Sequence, residues 1–390
     1  MKIIQIATTI ICLGGAILSC PAFSTLNNVA SNASVVYLRT SCIEGASPQV
    51  IRNNCFDGSN AVNELTTWIA GTRRPSASSP LSVEVGPGTY PTLTCTDWGY
   101  TTFRGAGQSQ TTFTGTNQGL KATRCTELEF RHLTISSSSG VLPKGVLWVG
   151  PGNSHWVDVS VIGGAYGWYE ATGSTACTDN VKGNAGKHYW FSSRIKATSN
   201  SAPLIRAYFD ACGSENWFFG SELFADAPNP TALVAAHHQQ GNADSHFYGS
   251  VIRVNTNLVS GGDFPPAAIL AAAGSVHIHG TGIDVISTVP NNNIAALVTT
   301  SDGAEIHANG AAYNLDAGQG GTIARIVKNG GHVHAPYLWE QHSTPPNITS
   351  VDGADVAVVT TAGGAPRFLI YSDACATSKW FDVGANACRP

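Results

Sequence analysis

The chain has 390 residues, of which only 12% are charged, and its formal net charge is −4. So small a charge, with no basic excess, leaves no electrostatic case for nucleic acid as a partner. Length alone would suggest two or three domains, but a solenoid escapes that arithmetic because each repeat touches only its neighbours.

The N-terminus has the layout of an export signal. Lys2 precedes an apolar run from Ile3 to Leu18 that is too short and too interrupted by glycine to span a membrane. Ala22-Phe23-Ser24 offers small residues for cleavage before Thr25, so residues 1–24 are expected to be removed. A lipoprotein signal at Ile17-Leu18-Ser19-Cys20 is the alternative. No later segment is apolar enough to cross a membrane, and the expected location is secreted, periplasmic or at the cell surface.

Beyond the signal lie Cys42, Cys55, Cys95, Cys125, Cys177, Cys212, Cys375 and Cys388. An even number in an exported chain implies a disulfide framework, and sequence order suggests 42–55, 95–125, 177–212 and 375–388. No Cys-x-x-Cys occurs, so a structural zinc site is not indicated.

Residues 25–80 read as an N-terminal cap. Within it, Asn60 to Ala70 has helical spacing, with Val62, Leu65 and Ile69 on one face. Ser76 to Pro80 is a loop. From residue 81 to about 345, short apolar runs alternate with Gly, Asn and Asp turns on a period of roughly 29 residues. One column of apolar and aromatic residues is Phe103, Leu128, Trp156, Tyr189, Trp217, Phe247, His277, Ile306 and Val333. A second is Leu204, Leu233, Ile269, Leu297 and Ile326. Each repeat thus holds at least two short strands, and stacked coils would lie about 4.8 Å apart. Residues 346–390 carry further strand-like runs and a terminal cysteine loop, and read as a second cap.

The stretch VEVGPGTYPTLTCTDWGYTTFRGAGQSQTTFTG, Val83 to Gly115, resembles the first coil of pectin-lyase-like proteins. The resemblance implies an all-β fold, a single-stranded right-handed parallel β-helix with caps at both ends. For function it implies an extracellular protein that binds or processes a polysaccharide, or a non-catalytic adhesin or scaffold on the same framework. If an enzyme, it would be a polysaccharide lyase, glycoside hydrolase or carbohydrate esterase. Individual motifs do not carry over. Arg194-Ile195-Lys196 is similar to a polygalacturonase element, but the Asn-Thr-Asp and Gly-His-Gly elements are missing. Asn216-Trp217-Phe218-Phe219-Gly220 resembles a pectin methylesterase phrase in which Asn216 replaces the aspartate. No nucleophile elbow or P-loop occurs, and no cofactor is expected.

Three groups of residues could carry a site. The first comes from turn lengths between the two columns. They are 13 from Leu204 to Trp217 and 14 from Leu233 to Phe247, against 8 from Ile269 to His277, 9 from Leu297 to Ile306 and 7 from Ile326 to Val333, by subtraction. Two neighbouring longer turns would gather Asp210, Glu215, His237, His238 and Asp244 on one edge, with Arg206 and Tyr208 nearby. Asp210, Glu215, His237 and His238 are candidate acid–base residues, and Arg206, Tyr208 and Asp244 candidate sugar contacts. Ordinary solvated turns are the plain alternative. The second group is a run of histidines, His246, His277, His279, His307, His332 and His334. These are expected to stack, or less simply to bind a metal with no evident carboxylate to complete the set. The third is aromatic, with Trp168 and Trp190 as candidate sugar platforms or core.

Overall fold

In the computed structural model of the protein, the described residues are 30–44, 50–51, 53–137, 139–171, 186–199, 202–228, 233–257, 264–287, 289–290, 292–318 and 321–334. The backbone of five later strands, between 339 and 388, is described as well. The export segment, Cys177 and Cys375 lie outside them.

The chain winds as a β-solenoid of about 7 turns whose strands pair in parallel with the coils before and after them. A typical coil has three strands, such as Leu204–Asp210, Glu215–Phe219 and Glu222–Ala227. The first belongs to a nine-stranded sheet that runs from Leu93–Thr96 to Thr322–Lys328. The other two stack in adjacent columns of a 19-stranded sheet. The columns fuse where Ser154–Gly163 pairs with Lys187–Phe191 along its first half and with Arg194–Thr198 along its second.

The corner between these two columns explains a recurring sequence phrase. Gly220, Gly249, Gly280 and Gly310 all have left-handed backbone, at φ of +55°, +55°, +54° and +68°. Only glycine adopts this region without strain. The next residue is a buried Ser or Thr on three of these coils, and in the two serines the hydroxyl serves the coil before. Ser221 Oγ accepts from the Ser193 amide at 3.2 Å, and Ser250 Oγ accepts from the Ser221 amide at 3.2 Å.

Two stacks of rings fill the interior. Phe103, Phe130, Trp156, Trp190, Phe218 and Phe247 lie face to face along the axis, with centroid steps of 5.4, 4.4, 4.6, 6.2 and 4.5 Å. Trp148, Trp168, Tyr208 and His237 form the second stack at 5.5, 5.5 and 5.6 Å. The stacks meet edge to face, as at Trp190 and Tyr208, 87° apart. Each such pair adds about 0.5–1.5 kcal/mol beyond the area it buries.

The register corrects the first column read from sequence. Trp156 is level with Trp190, then Phe218, Phe247 and Ile278. Tyr189, Trp217 and His277 are one residue out of step, and a one-residue slip in a strand reverses the face. They point outward.

At the N-terminal end, Val35–Leu38 and Cys55–Phe56 already join the parallel sheet beside Leu81–Val85. The helix spans Ala61–Trp68, with Ala61, Val62 and Leu65 buried, and Ile69–Arg73 continues it with a wider turn. Cys42 is bonded to Cys55 and Cys95 to Cys125, as expected, the latter across neighbouring coils. Cys212 is also disulfide-bonded. Trp339–His342, Val356–Val359, Arg367–Tyr371, Trp380–Asp382 and Ala387–Cys388 make a separate five-stranded sheet. Among the described residues no helix is long and apolar enough to cross a membrane.

Candidate functional site

The residues singled out from sequence divide among three places. Asp210, Tyr208, His237, Trp168 and Trp190 are inside the solenoid, each 0% exposed. The premise that put Asp210 in a long solvated turn does not hold. Leu204–Asp210 is followed at once by residues 211–214 and then Glu215–Phe219, and Leu233–Gln239 by 240–243 and then Asp244–Tyr248. Asn293–Thr299 is followed by 300–303 and Ala304–Asn309, a connection of the same length. The apparent excess came from aligning Leu233 with Ile269, whereas Ile269 is level with His237. The two turns do lie side by side, since the Gln240 amide donates to the Asp210 carbonyl at 2.8 Å and the Asp244 amide to the Ser214 carbonyl at 2.9 Å.

Inside, Asp210 belongs to a closed polar network. Its carboxylate accepts from Asn216 Nδ2 at 2.8 Å and from the Cys212 amide at 2.9 Å. Tyr208 donates to Asn216 Oδ1 at 2.7 Å, and Ser245 donates to Gln239 Oε1 at 3.0 Å, which His237 Nε2 faces at 3.5 Å. One coil earlier, Glu170 accepts from Ser214 and faces His188 Nε2 at 3.9 Å. Burial favours the uncharged form of every group here. It raises Glu170 to about 8 and, with Glu170 beside it, pushes Asp210 well up. It lowers His188 to about 3 and His237 to about 4. Trp168 and Trp190 are likewise core and offer no sugar platform. Without solvent contact, this network organises the interior and has no geometry for acid–base work on a polymer.

Glu215 and Asp244 sit on the far side of the same wall, on the outer face of the large sheet. Glu215 pairs with Lys187 Nζ at 2.7 Å and accepts from Trp217 Nε1 at 2.9 Å. Beside it runs the expected histidine stack. His246, His277, His307 and His334 follow one another at 4.7 Å, and Trp217 lies 4.0 Å from His246. A second outward column holds Phe191, Phe219, Tyr248 and His279 at 5.1, 5.3 and 4.8 Å. His332 stands apart, 6.2 Å from His334. Because the rings stack on one another, they turn their edges outward and keep their faces covered.

Arg206 and His238 occupy the third place, the outer face of the nine-stranded sheet. Lys144, Tyr166 and Arg206 are level on consecutive coils, and so are Tyr169, Phe209 and His238. Residues three apart on these strands share a side, as the contact of Arg206 with Phe209 shows. Arg206 Cζ lies 4.4 Å over the Phe209 ring and 5.7 Å from that of Tyr166. Lys144 Nζ lies 5.1 Å from the Tyr169 ring and 5.8 Å from that of Tyr166. Phe209 also packs edge-on against His238 at 5.1 Å. Burial lowers both Lys144 and Arg206, and burial, then Arg206, then His237 hold His238 well below the ordinary imidazole range. Arg206 Nε and His238 Nδ1 are buried without a hydrogen-bond partner. Sequence reasoning missed Lys144 and Phe209. The signal for them was the shared three-residue spacing of Tyr166 to Tyr169 and Arg206 to Phe209.

Further along this face the same rows continue as Ala235, Ala267, Leu270, Ala295 and Val298, a separate buried apolar cluster. The charged and aromatic part is confined to the coils around Arg206.

No protein-family model matches the chain, and no curated protein matches it. Among solved structures, a pectin methylesterase from carrot is similar with a TM-score of 0.43 and 12% identity, over 74% of this chain and 87% of that one. The likeness is one of coiled architecture and bears on no activity.

Proposed function

We propose that the protein binds an acidic extracellular polysaccharide on the outer face of the nine-stranded sheet. Arg206 and Lys144 take the anionic group beside the half-buried Tyr169 ring, while the buried rings of Tyr166 and Phe209 back the two cations from beneath. The observation that carries this reading is the state of the two cations. On the outer face of the large sheet, by contrast, Lys187 is paired with Glu215, Arg194 with Glu222, Lys196 with Asp226, and Arg253 with Glu222 and Asp284. Among the described residues, Arg206 and Lys144 face no carboxylate, and Lys144 donates only to the Leu142 carbonyl at 2.9 Å.

A desolvated cation without a counter-charge is costly. An arriving carboxylate or sulfate relieves that cost and gains charge-assisted hydrogen bonds from a planar guanidinium. Aromatic walls suit the apolar faces of sugar rings. Export fits the disulfides Cys42–Cys55 and Cys95–Cys125, which persist in oxidising compartments. The reading is one of binding, since among the described residues no exposed acid and base converge at this site.

A glycan array with uronate-containing, sulfated and neutral polymers tests it. Retention of acidic polymers above neutral ones is expected. Retention of neutral polymers alone, or of none, overturns it and leaves a non-catalytic scaffold as the better account.

A further inference from the structure

We propose that Asp244, His246 and His277 form a binding site for one divalent transition ion of the zinc type, on the outer face of the large sheet. The site is separate from the glycan face and does not rest on that reading.

Asp244 and His246 are two residues apart on one strand and so point to the same side. His277 is directly level with His246 on the next coil. The carboxylate reaches both imidazoles, with Oδ2 3.3 Å from His246 Nε2 and Oδ1 3.2 Å from His277 Nε2. All three ligand atoms lie within 4.8 Å of one another. With bonds of about 2.0–2.1 Å, the ligand atoms of a tetrahedral zinc ion sit about 3.3 Å apart. Each imidazole nitrogen already stands at that distance from one carboxylate oxygen, and because the two oxygens differ the carboxylate must turn one of them into line with both nitrogens. The remaining edge needs the two rings, now parallel to within 8° and 4.7 Å apart, to tilt toward each other by about 1.4 Å.

The surroundings favour a held site over a mobile one. His246 lies against Trp217 at 4.0 Å, and Trp217 is fixed by its bond to Glu215. The far face of His277 is covered by His307 at 4.7 Å. The side chains remain reachable, at 14% exposure for Asp244 and His246 and 26% for His277. Two imidazoles and one carboxylate leave a fourth position for water, which matches a borderline-soft ion better than calcium or magnesium, whose ligands are oxygens.

The test uses tag-free, metal-stripped full-length protein. Calorimetric titration with Zn2+ is run on wild type, Asp244→Asn, His277→Gln and the control His279→Gln, whose ring stands in the neighbouring column. One ion per chain is expected in wild type and in the control, with affinity at least tenfold weaker in the other two. Circular dichroism checks the fold of each variant. Co2+ added to wild type gives a reading that needs no substitution, and the intense visible absorption of a tetrahedral ion is expected. No binding by wild type, undiminished binding in Asp244→Asn and His277→Gln, equal loss in His279→Gln, or an octahedral Co2+ spectrum would each overturn the proposal.

Discussion

The guanidinium of Arg206 lies 4.4 Å above the Phe209 ring, with its Nε buried and unpartnered. A cation–π contact of this kind offsets only part of the desolvation of a guanidinium, at about 0.5–2 kcal/mol. On the large sheet Lys187, Arg194, Lys196 and Arg253 are paired with carboxylates, whereas among the described residues Arg206, on the nine-stranded sheet, faces none. That is the arrangement expected where the counter-charge belongs to a ligand.

Arg206→Gln should weaken binding of an acidic glycan by about 10- to 100-fold, the equivalent of one or two charge-assisted hydrogen bonds. Lys144→Gln should weaken it less, because a flexible ammonium on the rim is a point charge and not a fork. Binding curves at two ionic strengths check this. Wild-type affinity should fall with salt more steeply than that of Arg206→Gln.

Asp210→Asn should destabilise the fold by about 1–3 kcal/mol, because both carboxyl oxygens, protonated or not, keep a lone pair for Asn216 Nδ2 and the Cys212 amide, whereas the amide nitrogen has none to accept with. Glycan affinity of the folded protein should be unchanged. Urea denaturation measures the first and a titration the second. A variant as stable as wild type, or one that loses glycan affinity, would contradict the interior placement.

The pH dependence of stability should have two opposing limbs. His188 and His237, lowered to about 3 and about 4, stay neutral in the fold while the unfolded chain takes up protons below about 6.5. Their contribution is present above about 6.5 and is lost as pH falls toward those values. Glu170, raised to about 8, keeps its proton in the fold while the unfolded chain releases it above about 4.5. Its contribution is present below about 4.5 and is lost as pH rises through about 8. Each unit of displacement is worth about 1.4 kcal/mol. Glu170→Gln should therefore gain on wild type steadily from pH 5 to pH 9 in urea melts. A constant difference across that range would show that Glu170 does not titrate in the fold as described.

Gly249→Ala should cost about 1–2 kcal/mol through its left-handed backbone alone, since φ is +55° and a Cβ there would meet nothing within 4 Å. Thermal melts of Gly249→Ala and Gly282→Ala would separate conformation from contact. Gly282 has ordinary φ and an equally open position, with only Val251 at 4.0 Å, so its substitution should be nearly neutral.

The coil period was legible because apolar and aromatic columns recur between turns of Gly, Asn and Asp. Faces were harder to read. Tyr189 is followed by Trp190, Trp217 by Phe218 and His277 by Ile278, so apolarity could not say which of each pair points inward. Hydrogen-bond register decided it. Asp210 was misplaced for a related reason. Phe209-Asp210-Ala211-Cys212-Gly213-Ser214 has the composition of a turn, yet its polar groups are satisfied internally by Asn216 and backbone. Arg206 and His238, expected beside a loop, stand instead on an aromatic wall, apart from Glu215 and Asp244. Asp244 was singled out from its turn, but its nearness to His277 was hidden because that ring lies on the next coil.

The most direct measurement is a calorimetric titration of wild type and Arg206→Gln with a uronate oligosaccharide and with the same oligosaccharide after its carboxyl groups have been reduced to neutral alcohols. The account predicts that wild type binds the uronate and loses at least tenfold in affinity for the reduced form, while Arg206→Gln barely distinguishes the two. Equal affinity of wild type for both, or an undiminished preference in Arg206→Gln, would contradict it.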